Sequence, residues 1–300
     1  MIRKQGLITA TMVFLVLILE LHVFAQSGNE KSGEWQTVEQ AIGRSGQVQA
    51  DGASKFGFPR NDLKVTVEGI EIKPALALGG WVAFSKPGAG SMVMGDLVLT
   101  EDEITPVMSS LESSGVQVTA LHNHVLHESP RIMYMHIGGH GDAVKLATAV
   151  KEAVALTKIP APRAPASAQP DIGIDTAGIE QALGHKGKIN GGVFQVAVPR
   201  AEKISESGMQ VPSSMGISTA LNFQPTGDGK AAITGDFVLL GPEVNPVIQA
   251  LRSHGIDVTA LHSHMLDEQP RLFFMHFWAN DDAVKLAKGL RAALDKTNSK

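Results

Sequence analysis

Residues 119–136 read TALHNHVLHESPRIMYMH, and the block returns without a gap at 259–276 as TALHSHMLDEQPRLFFMH. A chain that repeats itself over such a distance must solve the same folding problem twice. The likeness extends beyond the block. Val38-Glu39-Gln40-Ala41-Ile42-Gly43 resembles Ile179-Glu180-Gln181-Ala182-Leu183-Gly184, Phe58-Pro59-Arg60 answers Val198-Pro199-Arg200, and Gly95-Asp96 answers Gly235-Asp236. The repeating unit is therefore a whole domain of roughly 120 residues, longer than the units of solenoid proteins.

This predicts a first domain over 33–158 and a second over 174–298. Between them, residues 159–173 include IPAPRAPASAQPD, whose proline and alanine content reads as an extended linker. The chain has 300 residues, enough for two ordinary domains. At 43 % hydrophobic and 19 % charged it has the composition of a globular protein. Its net charge of −4 provides no basic excess to neutralise phosphates, which argues against a nucleic-acid partner.

The first 25 residues read as a secretory signal peptide. Arg3 and Lys4 precede an apolar stretch over 7–19, and Val23-Phe24-Ala25 offers a small-residue cleavage site. An uncleaved anchor is the alternative, but the apolar stretch is short for a membrane span. The expectation is a periplasmic or secreted protein, cleaved near Ala25 and left without a stable membrane anchor. With no cysteine, the chain has no disulfide, thiolate ligand or lipidated cysteine.

Within each repeat the pattern is strand, helix, strand, strand, helix. Residues 92–100 read as a strand with a glycine interruption, and Thr105-Pro106 as a helix start, with Asn245-Pro246 its counterpart. Residues 116–121 and 131–137 read as further strands. Asp142 and Asp282 precede apolar residues at helical spacing and read as helix caps. Residues 64–72 alternate like a strand. The expected class is α+β, with two tandem homologous domains, each a mainly antiparallel sheet with helices packed on one face.

The repeated block carries the chemistry. In an extended strand His122 and His124 face the same side, about 6.6 Å apart at the usual rise. His136 comes from the next strand and Glu128 from the connection between them. Three imidazoles and a carboxylate suit zinc, copper or another divalent transition metal. His262, His264, Glu268 and His276 repeat the set. His127 and His140 become Asp267 and Asn280 in the second copy, which sets them apart from the ligand candidates. The bland reading is that these histidines bond main-chain carbonyls. Two separate sites and one shared cleft are both open at this stage.

Arg131 and Arg271 each follow a proline, and so do Arg60 and Arg200 with less support. They read either as clamps for a small anion or as partners in salt bridges. Met92, Met94 and Met133 have no methionine counterparts and read as core. His-x-His-x3-Glu also occurs in the first motif of cupin barrels, but His136 follows too soon and the flanking helices do not suit an all-β barrel.

The pattern ALHNH, then E-x-P-R, then His136 and GDA-x-x-LA, resembles the LppY/LpqO family of bacterial envelope proteins, whose domain often occurs in tandem. That resemblance implies an exported protein of unknown function. Some members carry a peptidoglycan-binding label, so a cell-wall interaction module is one expectation. The residues themselves favour a binding protein over an enzyme. A metal-assisted or His/Glu acid–base hydrolase of phosphate or glycan is the alternative. No serine or cysteine nucleophile motif is present.

Overall fold

The computed structural model describes residues 33–162 and 172–300. The expected signal peptide and residues 163–171 of the expected linker lie outside them. The first half runs α1 (Gln36–Ile42), β1 (Gln47–Val48), β2 (Ser54–Pro59), β3 (Thr66–Val67), β4 (Ile70–Glu71), α2 (Pro74–Ala77), β5 (Gly79–Phe84), β6 (Ser91–Thr100), α3 (Glu101–Ser113), β7 (Gln117–His122), β8 (Glu128–Ser129), β9 (Ile132–Gly141) and α4 (Ala143–Val154). The second runs α5 (Thr176–Leu183), β10 (Gly187–Asn190), β11 (Val193–Pro199), β12 (Ser205–Glu206), β13 (Met209–Gln210), β14 (Ser218–Gly227), β15 (Lys230–Leu240), α6 (Val244–Ser253), β16 (Asp257–His262), β17 (Glu268–Gln269), β18 (Leu272–Asp282) and α7 (Ala283–Leu294).

Each half is an antiparallel six-stranded sheet with helices on one face. The strand orders are β1-β2-β5-β6-β9-β7 and β10-β11-β14-β15-β18-β16, the same topology twice. In the first half Val93, Leu97 and Leu99 of β6 and Met135 and Ile137 of β9 pack under Val38, Val107, Leu111, Leu146 and Val150 of the helices. Phe237, Leu239, Met275 and Phe277 do the same beneath α5, α6 and α7. Among the described residues no helix is long and apolar enough to cross a membrane.

The opposite faces of the two sheets are also buried, against each other. Side chains alternate along a strand, so Met92, Met94, Asp96 and Val98 of β6 point away from the helices. Met92 and Met94 pack against Ile204, Val211, Met215, Val238 and Phe274 of the second half. Val98 and Tyr134 share a cluster with Val193, Ala232 and Trp278. The layers are thus helices, sheet, sheet, helices. Gln224 fastens one flank, accepting from the Lys73 amide at 2.7 Å and donating to the Glu71 carbonyl at 2.9 Å.

Several local readings change. β6 runs unbroken through Gly95, where a Cβ would lie 2.9 Å from the Trp81 carbonyl of the neighbouring strand. α3 begins at Glu101, not at Thr105-Pro106, because Thr100 and Glu103 form a capping box; Pro106 lies inside the helix. In the second half Leu240 has no hydroxyl, and a short 3-10 turn over Gly241–Glu243 precedes α6. Residues 64–72 form the small hairpin β3–β4, turning at Glu68 and Gly69, both at positive φ. Asp142 and Asp282 do cap α4 and α7 through their side chains.

Arg60 and Arg200 resolve into buried braces. Arg60 donates to the Glu103 carboxylate at 2.6 Å and the Val98 carbonyl at 2.9 Å, and also pairs with Asp62. Arg200 repeats this with Glu243, Val238 and Glu202. Each ties β2 or β11 to the start of a helix. Removing one partner strands the other charge in the interior. Arg60→Ala is therefore expected to lower the unfolding free energy by about 3–5 kcal/mol in urea denaturation; a loss under about 1 kcal/mol would contradict this role.

Candidate functional site

β7 and β16 bring the repeated histidines to the centre of the sheet-on-sheet interface. Both strands carry a bulge, at Thr119 and at Thr259, where pairing with the neighbouring strand shifts. The bulge re-aims each threonine into the other half. Thr119 Oγ1 donates to the His264 carbonyl at 2.6 Å, and Thr259 Oγ1 donates to the His124 carbonyl at 2.5 Å. The backbone of a histidine in one half is thus positioned by a threonine of the other. β7 ends at His122, so His124 lies in the bend beyond it and not on the strand.

Six imidazoles meet as one cluster rather than two separate sites. His122 stacks on His262 with ring centroids 3.5 Å apart, His124 on His276 at 3.9 Å and His136 on His264 at 3.8 Å. Every one of these pairs joins the two halves. Within the halves, His122 lies 5.0 Å from His136 and His262 lies 4.9 Å from His276. Tyr134 stacks against His124 at 3.3 Å, and its counterpart Phe274 against His264 at 3.5 Å. These rings close the ends of the stack.

The Nε2 atoms of all six histidines are buried without a hydrogen-bond partner. The other nitrogen of several rings contacts a main-chain carbonyl: His276 Nδ1 lies 2.7 Å from Gly235 O, His122 Nδ1 2.9 Å from Asn123 O and His262 Nδ1 3.3 Å from Ser263 O, and His264 bonds the Gly216 backbone. A carbonyl accepts only, so Nδ1 carries the proton there and Nε2 presents a lone pair. Metal-binding histidines are oriented in this way. The carbonyl contacts of the bland reading thus exist, but they occupy one nitrogen and leave the other unsatisfied.

Burial keeps the rings neutral. It holds His122, His262 and His264 down to about 3 and His276 to about 4, and keeps His124 and His136 well below the usual imidazole range. Two aspartates enter beside them. Asp96 on β6 and Asp236 on β15 point inward opposite His136 and His276. Asp96 Oδ2 lies 3.5 Å from His124 Nε2 and Asp236 Oδ2 lies 3.1 Å from His264 Nε2, in neither case as an aligned hydrogen bond. Burial pushes the Asp96 carboxyl up to about 8, with repulsion from Asp236 adding to it, and burial also raises Asp236. Such facing acceptors call for a proton or a cation between them.

Four sets of donor atoms converge to within 4.8 Å of one another: His122, His136 and His262; His122, His124 and His276; Asp96, His124 and His136; Asp236, His262 and His264. Asp96 and Asp236 lie well before the histidine block in the sequence and do not read as part of it. Their signal was present, a lone acid at the same place in an apolar strand of both copies. Glu128 and Glu268 lie outside all four sets. Glu128 Oε1 accepts from the Ile132 amide at 3.0 Å, and Glu268 Oε1 from the Leu272 amide at 2.9 Å. Each carboxylate holds the turn into β9 or β18.

The arginines differ between halves. Arg271 donates to Glu268 at 3.1 Å and to the Leu266 carbonyl at 3.1 Å, so it is engaged within its own turn. Arg131 is exposed and forms no ion pair among the described residues. Glu128 keeps one buried oxygen without a partner, as does the Tyr134 hydroxyl. Burial raises the Glu128 carboxyl to about 7. His127 lines a separate cavity of about 210 Å³ with Glu68, Arg252 and Trp278. His140 also lies outside the four sets.

The depressed imidazoles give a pH signature to the metal-free protein. Between about pH 6.5 and 4 the unfolded chain takes up protons on these six histidines, which the folded one excludes, so stability falls with acidification. The raised carboxyls, Asp96, Asp236 and Glu128 among them, act oppositely over their own range, since the folded state holds their protons longer, but the six imidazoles outweigh them. Thermal melts of chelator-treated protein at pH 7, 6 and 5 should show a progressive drop in Tm, reduced in His124→Asn/His264→Asn. A Tm that rises on acidification would contradict the burial of neutral rings.

Two tandem stretches, residues 36–156 and 177–296, match a family model described as Domain of Unknown Function (DUF1259). No curated protein matches the chain. Among solved structures, EtuB from Clostridium kluyveri aligns at 10% identity over 83% of this chain and 90% of that one, with a TM-score of 0.18. A trimeric bacterial microcompartment shell protein, PduB, aligns at 11% identity over the same shares, with a TM-score of 0.19. At these scores neither likeness carries an argument about this molecule.

Proposed function

The chain belongs to the DUF1259 family of unknown function, with one family domain in each half, and we propose that it binds a divalent transition metal through imidazoles drawn from both halves. The observation that carries this reading is the set of six buried Nε2 atoms with no partner, converging between the sheets. Each unpaired buried acceptor costs about 1–3 kcal/mol. A metal ion satisfies several at once and relieves the facing aspartates. Neutral imidazole with carboxylate suits zinc, copper, iron or manganese. The role is that of a binding protein. Export to the periplasm or exterior, and kinship with the LppY/LpqO envelope proteins, belong to the same proposal on the strength of the N-terminal sequence and the repeated motif.

One observation favours a second, hydrolytic reading. Only the first half pairs an unengaged Glu128 oxygen with an unpartnered Tyr134 hydroxyl, where the second has Phe274 and an Arg271-bound Glu268. A carboxyl near neutrality beside a metal centre is suited to acid–base work. Under that reading Glu128→Gln abolishes turnover of phosphoester or glycan substrates while leaving metal content unchanged.

Elemental analysis of the untagged protein tests the main proposal. Transition metal should copurify in stoichiometric amount. Saturating it at 100 times its Kd should stabilise the fold by roughly 2.7 kcal/mol. His122→Ala/His262→Ala should lose the metal and that stabilisation. A folded protein that takes up none of manganese, iron, copper or zinc would refute the proposal.

A further inference from the structure

The donor inventory exceeds what one ion can use. Six ring nitrogens and two carboxylates surround the centre, whereas a zinc-like ion takes four or five ligands. The two convergent sets that hold an aspartate share no residue. Asp96, His124 and His136 come entirely from the first half, and Asp236, His262 and His264 entirely from the second. Each set has two imidazoles and one carboxylate, an arrangement that holds divalent iron and related ions and leaves coordination positions open.

The two sets are also adjacent. His136 of the first stacks on His264 of the second at 3.8 Å. His122 and His276 remain outside both. They belong to opposite halves, and with His124 they form a set that crosses the interface. They are therefore placed to supply further ligands from the opposite side. A single ion at the centre would leave at least one of the two disjoint sets incomplete, with its aspartate unmatched in the interior.

We propose that the protein holds two divalent first-row ions side by side, one in each two-imidazole, one-carboxylate set, with His122 and His276 completing the shared centre. This rests on the metal-binding reading and goes beyond it in number and arrangement. Two dications facing two carboxylates leave a formal surplus of two positive charges. That surplus favours an anionic ligand between the ions, of the class of hydroxide or a small oxyanion. Two adjacent ions sharing such a ligand are the arrangement used to clamp the attacking and leaving oxygens of a displacement.

The full chain, stripped with chelator, reconstituted with zinc(II) and desalted, should retain two ions per chain. Reconstituted with manganese(II), it should give the electron paramagnetic resonance signal of an exchange-coupled pair. Asp96→Asn and Asp236→Asn should each reduce the zinc count to one and replace the coupled manganese signal with that of an isolated ion. A wild-type count of one, with either substitution abolishing all binding, would overturn the two-ion arrangement and leave the metal-binding reading intact. A count of two with uncoupled ions, indifferent to both substitutions, would also overturn it. A folded protein that retains neither zinc nor manganese would overturn both. The wild-type count and spectrum decide even if a variant fails to fold.

Discussion

Six imidazole Nε2 atoms, buried between two sheets and left without hydrogen-bond partners, set the requirement that the rest of the molecule meets. Polar atoms in such a position disfavour the closed state unless something fills the gap. The apolar clusters on either side supply the opposing force. Met92, Met94, Val238 and Phe274 on one flank, and Val98, Tyr134, Ala232 and Trp278 on the other, hold the two inner faces together. The histidines are held close by their surroundings, which is the preorganisation that the proposed metal site requires.

Duplication explains how such a site arises from one sequence pattern. Each half contributes the same imidazoles and the same aspartate, and packing the two like faces together produces a centre with approximate two-fold symmetry. The bulged threonines make that symmetry mutual, since each fixes a histidine carbonyl of the opposite half. Neither half could complete the cluster alone. The departures from symmetry are concentrated in the turn leading into β9 and β18. Tyr134 has Phe274 as its counterpart on the next strand, and Arg131, without an ion pair among the described residues, has the engaged Arg271 as its own.

Much of this was legible in the sequence. The repeat gave two copies of one α+β domain, the aspartate caps marked α4 and α7, and the histidines named themselves by recurring together. The union of the two clusters was not legible, because periodicity within a strand says nothing about what packs on its far face. β6 and β15 are apolar on both faces, so Asp96 and Asp236 did not stand out as members of an alternating pattern. The recurrence of Glu128 and Glu268 beside the histidines suggests ligands, yet the tight turn bends each carboxylate back onto an amide four residues on. Arg60 was ambiguous for the reverse reason, since its partner Glu103 lies far away in sequence and is brought close only by the fold.

Anomalous diffraction at a transition-metal absorption edge, from crystals of untagged protein grown without chelator, tests the central claim most directly. The account predicts strong density between β7, β9, β16 and β18, within bonding distance of imidazole Nε2 atoms from both halves. A well-ordered crystal soaked in zinc whose anomalous density sits only on surface histidines such as His185 and His254, with the central rings unbridged, would contradict it.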